Sequence, residues 1–299
     1  MLTFVTAVFL CLLPIGPAAA HGAETHTVIG SWTFDAWIIF PLALSGILYI
    51  NGSAKLWARA RGARVVLGRR ALSFAIGWIA LAGALVSPLH WLGEHLFTFH
   101  MIEHEIVMAI SAPLIVISRP AAVLLWGLPT QARRQTARLL RVPMARSTWS
   151  WISGGTVATV LHGLAIWGWH APPFFDAAVT NDTVHRLQHL SFFATGILFW
   201  WSIVWRSGSG IAAWHLFLTM LHMSVLGALM ALAPHVLYLA QTRAAQAWGL
   251  TPLEDQQLAG MIMWIPAGTI YAGAALFVLA KWISSSGRGG KNEPELVRP

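Results

Sequence analysis

The sequence predicts an all-α integral membrane protein: a bundle of seven transmembrane helices that follows an N-terminal signal peptide, with the N-terminus outside and the C-terminus inside. Three observations predict this class. Of the 299 residues, 57% are hydrophobic and only 10% are charged, whereas soluble domains carry roughly 25% charged residues. Several apolar runs reach the ~20 residues that a helix needs to cross a bilayer. The basic residues fall almost entirely in segments that would face one side of the membrane.

Residues 1–20, MLTFVTAVFLCLLPIGPAAA, have an apolar core broken by Pro14 and Pro17 and end in small residues. This pattern resembles a secretory signal peptide that is cleaved before His21. Because no Lys or Arg precedes the apolar core, an uncleaved first helix is the alternative. Cleavage would remove Cys11, the only cysteine, and would exclude disulfides, iron–sulfur clusters and thiolate-based copper binding in the mature chain.

Seven apolar segments follow, and we predict that they form a single membrane domain over residues 21–283. The predicted spans lie at roughly 33–51, 71–89, 96–118, 149–169, 185–205, 212–234 and 257–280. Many of the 17 tryptophans lie near the ends of these spans, as expected for an interfacial aromatic belt. The last residues, 284–299, are polar and predict a flexible cytoplasmic tail.

The charges in the loops predict the orientation. Of the 19 Lys and Arg residues, 17 fall in the tail, at one helix end, or in the loops after the first, third and fifth spans; only Arg186 and Arg243 fall on the other side. By the positive-inside rule, the basic side is cytoplasmic. The net charge of +8 is therefore explained by topology, and nucleic-acid binding is not expected.

The 13 histidines follow the opposite distribution. His162 and His222 lie near mid-membrane, and His215 lies near the cytoplasmic face. The other ten lie outside or at the outer ends of spans: His21, His26, His90, His95, His100, His104, His170, His185, His189 and His235. Ionisable side chains inside a membrane are costly and usually functional, so this distribution indicates a functional site on the outer side.

Two spans each carry a pair of histidines four residues apart, His100 with His104 and His185 with His189. Four residues turn a helix by about 400°, so each pair shares one helix face. Two such pairs facing each other would offer up to four imidazoles, the commonest ligand for copper and zinc. Methionines, whose thioethers suit Cu(I), lie at nearby depths: Met101, Met108, Met223, Met261 and Met263.

Purely structural interpretations remain open for these residues. A single buried histidine is commonly a hydrogen-bonded core residue, and methionines are abundant in membrane cores. Glu103 and Glu105 are either protonated or orient the histidines. Enzyme motifs do not fit: the metalloprotease pattern that begins at His104 has Met108 where its second histidine would stand. There is no phosphate loop, nucleophile elbow or covalent haem motif, so no enzymatic activity is expected.

Three segments resemble the signature segments of the CtaG family, the multi-span bacterial assembly factors of cytochrome c oxidase. They are SPLHWLGEHLFTFHMIEH (87–104), WGWHAPPFFDAAVTNDTVHRLQHLSFFATGILFWW (167–201) and LEDQQLAGMIMW (253–264). Order and spacing agree from about residue 33 to 280. The resemblance implies a bacterial plasma-membrane protein that is needed to mature a haem–copper oxidase through copper supply. The family's positions map onto His100, His104, His170, His185, His189, Asp255, Gln256, Gln257, Met263 and Trp264.

We therefore predict copper as the bound ion, held in an outward-facing site and passed to subunits of a haem–copper oxidase. The predicted ligands are His100, His104, His185, His189, His170 and Met263. The predicted supporting residues are Glu103, Asp255, Gln256, Met108, His162, His222 and His95. Histidines 90, 95, 162 and 222 are additions to the family pattern, which leaves open whether there is one site or a chain of sites.

Two other functions are alternatives to this one. A copper transporter or resistance permease would need polar or thioether residues that continue to the cytoplasmic face. A haem-binding redox protein would need axial histidines from two helices, such as His104 with His189. A soluble extracytoplasmic copper chaperone is a candidate partner in delivery.

The segment HGAETH, which follows the predicted cleavage site, is a candidate site for capturing copper. If His21 becomes the first residue, its amino group and imidazole can chelate Cu(II) together, with His26 as a third ligand. The unperturbed pKa of an α-amino group, about 7.7–8.0, allows it to deprotonate near neutral pH. A plain linker is the alternative.

Overall fold

The structure is a computed structural model that describes residues 32–60 and 62–289. The described residues are helices joined by short loops, and no strand occurs among them. In chain order the helices are α1 (Ala36–Arg59), α2 (Arg64–Val86), α3 (Pro88–His95), α4 (Phe97–Ile117), α5 (Pro120–Gly127), α6 (Thr130–Arg141), α7 (Pro143–Ile152), α8 (Gly155–His170), α9 (Pro172–Thr180), α10 (Asp182–Arg206), α11 (Ser209–Ala231), α12 (Leu239–Thr242) and α13 (Pro252–Gly289). The predicted signal peptide, His21 and His26 lie outside the described residues.

Six of these helices are long and apolar enough to cross a membrane: α1, α2, α4, α10, α11 and α13. Large apolar side chains are exposed along α1 and α2, including Phe40, Ile47, Leu72 and Ile79. Such a surface is unsuited to water and suited to lipid. The expectation of an all-α membrane protein is confirmed.

The predicted span 149–169 differs from the other six. It is divided between α7, which ends at Ile152, and α8, which has 16 residues. Sixteen residues give a length of about 24 Å, short of the hydrocarbon thickness of about 30 Å. The break lies at Ser153 and Gly154, where the Ser153 hydroxyl donates to the carbonyl of Trp149. The count of seven spans and the orientation of the termini therefore stay predictions.

The C-terminal helix continues beyond the predicted end of the membrane domain at residue 283. Helix α13 runs to Gly289, so the first part of the segment that we expected to be a flexible tail is helical. Residues 290–299 lie outside the described residues.

The main apolar core lies between α4, α8, α10, α11 and α13. Its fully buried side chains include Phe97, Met108, Phe192, Leu216 and Met263. Helices α1 and α2 pack on one side of this core through a smaller cluster that joins Leu42, Leu81, Val107 and Ile115. The histidine-bearing helices therefore belong to the main core.

Helix α4 contains a π-helical turn, Ile106–Ser111, immediately after the HMIEHE segment. A π-helical turn leaves backbone carbonyls without their usual α-helical donor, and such turns are frequent at functional sites. Trp200 on α10 donates from its indole nitrogen to the carbonyl of Met108 at 2.9 Å. Trp205 makes the same kind of bond to Val116 at 3.0 Å. These two bonds fix α10 against α4, and so fix the two histidine pairs relative to each other.

Helices α11 and α13 approach each other closely through glycine. A Cβ atom on Gly260 would lie 2.5 Å from the amide nitrogen of Ala231 and 2.7 Å from the carbonyl oxygen of Gly227. Only a residue without a side chain permits this separation.

We expect Gly260→Ala to lower the stability of the protein by about 1–3 kcal/mol, because the added methyl group forces two backbones apart. The measurement is thermal unfolding of the detergent-solubilised protein. Gly273→Ala on the same helix is the matched control, since nothing lies within 4 Å of its Cβ position. Equal melting temperatures for the two variants would contradict this interpretation of the helix contact.

Candidate metal centre

Six histidines from four helices meet at one end of the bundle. They are His90 from α3, His100 and His104 from α4, His170 from the last turn of α8, and His185 and His189 from α10. Neighbouring ring centroids are 4.3–6.5 Å apart. The two predicted His-x-x-x-His pairs therefore face each other, and His170 lies beside them.

Three of these histidines form a group with metal-site geometry, which we call the outer triad: His90, His185 and His189. One nitrogen from each lies within 4.8 Å of the nitrogens of the other two. The Nε2 atoms of His185 and His189 are 2.9 Å apart, so one ring donates a hydrogen bond to the other. An ion placed between such nitrogens would replace that shared proton.

The carboxylate of Glu103 lies against the outer triad. Its Oε1 atom is 2.8 Å from Nδ1 of His90 and 3.4 Å from Nε2 of His189. Glu103 itself is 1% exposed, so its carboxyl group depends on these histidines for polar partners inside the protein. Glu94, with a side chain that is 52% exposed, lies 3.7 Å from Nε2 of His90. A carboxylate thus connects the triad to the surface.

His90 lies outside the membrane-spanning helices and carries a proton in the absence of metal. Burial alone would lower its pKa, but the Glu103 carboxylate, helped by Glu94 and Asp35, raises the pKa of His90 to about 9. A metal ion must displace this proton in order to bind His90.

The remaining three histidines are more deeply buried, and we call them the inner trio: His100, His104 and His170, exposed by 1%, 1% and 3%. Four of their ring nitrogens have no hydrogen-bond partner, namely Nε2 of His100, both nitrogens of His104 and Nε2 of His170. Phe175 and Phe192 pack edge-on or tilted against these rings.

Buried polar atoms without partners are rare and costly. Four such nitrogens in one small volume need an explanation, and a bound cation provides one because each neutral imidazole offers it a lone pair. The donor set of imidazoles with one carboxylate fits copper or zinc. The residues present therefore fit the ion that the sequence led us to expect.

Five predicted site residues are not among the six clustered histidines. Met263 and Met108 are buried in the main apolar core. His95 bonds to the carbonyl of Trp91. His162 bonds to Thr195 at 3.1 Å, two helical turns below His170. His222 accepts a bond from Trp167. A ligand or supporting role for these five residues stays a prediction.

Gln256 supports the site through the backbone. Its side-chain oxygen accepts a bond from the amide of Leu237 at 2.6 Å, and its nitrogen donates to the carbonyl of His235 at 3.3 Å. The loop held in this way carries Tyr238, whose hydroxyl donates to the carbonyl of His170 at 2.7 Å. Gln256 thus holds the loop that bonds to the end of α8 at His170.

Asp255 fixes the start of α4. Its carboxylate accepts bonds from the backbone amides of Phe97 at 2.8 Å and Thr98 at 3.0 Å, and from the Thr98 hydroxyl at 2.7 Å. Helix α4 has no N-terminal cap of its own, because the residue before it is Leu96. A carboxylate from α13 therefore caps the helix that carries HMIEHE.

We expect Asp255→Ala to destabilise the protein by about 1–3 kcal/mol, since buried amides lose a charged partner. It should also weaken metal binding, because His100 and His104 lose their fixed position. Unfolding and metal titration on one purified sample measure both effects. The control is Glu254→Ala, whose carboxylate is exposed and bonds only within its own turn to Thr251. Metal affinity unchanged in Asp255→Ala would contradict the positioning role.

Sequence reasoning did not include His90 among the ligands. It fell in the loop between the predicted spans 71–89 and 96–118, and its pairing with Glu103 joins two helices. The spacing His90-x-x-x-Glu94 was a local signal that a polar site begins before α4. Gln188 was also missed: its amide is fully buried beside His189 and both polar atoms lack partners.

Comparison with known proteins gives the family. The chain is 28% identical over 190 residues to uncharacterized proteins of Mycobacterium bovis and Mycobacterium tuberculosis. A Mycobacterium leprae protein, also uncharacterized, is 24% identical over 176 residues. The first two alignments cover 59% of this chain and 27% of those proteins, so the chain spans about a quarter of their length. No solved structure matches.

The sequence model of one family matches most of the chain. That family is the cytochrome c oxidase caa3 assembly factors, Caa3_CtaG, and the match covers residues 47–285. The matched range contains all six histidines of the centre together with Glu103 and Asp255, and it confirms the resemblance found in the sequence. The chain belongs to the cytochrome c oxidase caa3 assembly factor family.

Proposed function

We propose that this protein binds copper at the outer triad with Glu103 and supports its insertion into a haem–copper cytochrome c oxidase. The observation that carries the proposal is the convergence of three imidazole nitrogens within 4.8 Å of one another, with a buried carboxylate 2.8 Å from one of the three rings. Membership of an oxidase assembly family supplies the context, because such oxidases contain copper as well as haem.

The chemistry proposed is capture and release, with no covalent step. Glu94 at the surface and Glu103 inside attract a cation, and the imidazoles replace its water ligands. Three or four imidazole and carboxylate ligands hold copper less firmly than a closed thiolate cage, which suits delivery to a second protein. The delivered ion is substrate in this scheme, and the oxidase subunits are the acceptor.

The site is proposed to face the extracytoplasmic side of a bacterial plasma membrane. The support is the positive-inside rule, since α6, between the third and fourth predicted spans, carries four arginines: Arg133, Arg134, Arg138 and Arg141. These lie at the opposite ends of the spans from the histidines. A soluble copper chaperone on that side is a suitable donor.

Haem is a weaker candidate for this centre. The imidazoles pack directly against each other, with the rings of His104 and His189 5.1 Å apart and bordered by other histidines. Axial haem ligands instead stand on opposite faces of a wide porphyrin. A haem would have to separate rings that are in contact.

The test compares cells that lack the protein with cells that produce the native chain or His185→Ala. We expect the native chain to restore oxidase activity and oxidase copper content, and His185→Ala to restore neither while reaching the membrane in normal amount. His235→Ala, at an exposed position in the loop, is the control. Full activity with His185→Ala would overturn the proposal, and loss of total cell copper uptake would favour the permease alternative.

A further inference from the structure

We propose that the inner trio is a second ion site, separate from the outer triad, and that it is built for a monovalent soft cation such as Cu(I). The outer triad with Glu103 is then the site for a divalent ion. The identity of the ion as copper rests on the proposed function; the division into two sites with different charge preference rests on the geometry below.

His170 carries the arrangement expected of a ligand. Its Nδ1–H donates to the carbonyl of Ile166 at 2.7 Å, which leaves Nε2 as the lone-pair nitrogen. That Nε2 is buried and without a partner. Metal-binding histidines typically donate their other ring N–H to a carbonyl in this way, which fixes both tautomer and orientation. The Tyr238 hydroxyl bonds to the carbonyl of His170 itself and further restrains this end of α8.

His100 and His104 provide the other donors. Two imidazoles bound to one ion at about 2.0–2.1 Å have ring centroids roughly 5–6 Å apart. The centroids of His100 and His104 are 4.3 Å apart, and those of His104 and His170 are 6.5 Å apart. Each separation lies within about 1 Å of this range, so the rings must rotate for one free nitrogen of each residue to reach a shared ion.

The two groups of histidines differ in charge. The recorded polar contacts of Glu103 are with His90 and His189 of the outer triad. The inner trio is bounded by Phe97, Phe175 and Phe192. The cost of burying an ion rises steeply with its charge. Neutral ligands in an apolar wall therefore favour a single positive charge, whereas a carboxylate compensates part of a double one.

The two sites also differ in how deeply they are buried. His185 in the outer triad is half-buried, whereas the inner trio is almost fully buried. The rings of His104 and His189 are 5.1 Å apart, and those of His100 and His185 are 5.6 Å apart. The outer triad therefore lies nearer to the surface, and the inner trio lies behind it, away from water.

The experiment uses the full chain, purified in detergent, with two redox-inert probes: Zn²⁺ for a divalent ion and Ag⁺ for a monovalent one. We expect the native protein to bind one of each at the same time. His185→Ala should weaken Zn²⁺ binding at least tenfold and leave Ag⁺ binding within about twofold. His104→Ala should weaken Ag⁺ binding at least tenfold and leave Zn²⁺ binding within about twofold. If His104→Ala does not fold, His170→Gln replaces it as the variant of the inner trio.

His215→Ala is the buried control: His215 bonds to Thr159 far from the centre, and neither probe should respond to its loss. Competition of Zn²⁺ for Ag⁺ in the native protein would overturn the inference, as would equal weakening of both probes by either class of variant. If the protein loads copper but has only one site that both probes share, the proposed function stands and only the inference of a second site is rejected. If both probes bind selectively but the variants leave the copper content of the oxidase unchanged, the two-site inference stands and the proposed function fails.

Discussion

His189→Ala is expected to weaken copper binding at least 100-fold, above the range of about 10–100-fold for residues that only orient a ligand. The reason is its central position. Its Nε2 atom is 2.9 Å from that of His185 and 3.4 Å from the Glu103 carboxylate, and its ring contacts that of His104. Its loss therefore opens the outer triad and also changes one wall of the inner trio.

The affinity of His189→Ala is measured by competition against a chromophoric copper chelator, with thermal unfolding as a check that the variant is folded. His235→Ala, in an exposed loop, should bind copper as the native protein does. A dissociation constant for His189→Ala within about threefold of the native one would exclude the histidine cluster as the binding site.

Glu103→Gln is expected to produce the second largest effect, a loss of about 10–100-fold in Cu(II) affinity. The amide keeps the size of the side chain and can still accept a bond from His90, but it removes the negative charge that offsets a divalent ion. The same variant should change binding of Ag⁺ by less than about twofold, because the charge lies at the outer triad.

The matched control for Glu103→Gln is Glu94→Gln, which removes an equal charge from an exposed carboxylate 3.7 Å from His90. Surface charges contribute little to binding because water and salt screen them, so the loss should be small. Electron paramagnetic resonance of bound Cu(II) reports the ligand change directly. Equal losses in the two variants would mean that general attraction, rather than a specific charge at the site, sets the affinity.

Much of the fold was readable from the sequence because it depends on composition and local pattern. A membrane-spanning helix needs a long apolar run, and such runs in the sequence predicted all six long helices. The span 149–169 was predicted as one helix, and the break at Ser153–Gly154 between α7 and α8 was not foreseen. The π-helical turn at Ile106–Ser111 was not predicted, although Pro113 shortly after it lacks an amide donor. The bond from Trp200 to the carbonyl of Met108 comes from another helix, so a single sequence does not reveal it.

The candidate site was predictable to the extent that it depends on helical spacing. The pairs His100/His104 and His185/His189 share a face because they are four residues apart, and this needs no tertiary information. The assignment of His90 to the same cluster does need it, because α3 folds back only through the break at Leu96. The capping role of Asp255 joins residues 157 positions apart, which a single sequence does not reveal.

The cap that Asp255 places on α4 also sets an order for biogenesis. Every histidine of the centre lies before residue 190, so all six have left the ribosome well before α13 is made. The amides of Phe97 and Thr98 nevertheless find their carboxylate only when α13 inserts. Until then, the turn that leads into His100 and His104 has no partner. A helix made after all six histidines thus fixes the start of α4, and a chain halted before α13 has the histidines without this cap. The geometry of the histidine cluster therefore depends on a segment made at least 60 residues later in the chain.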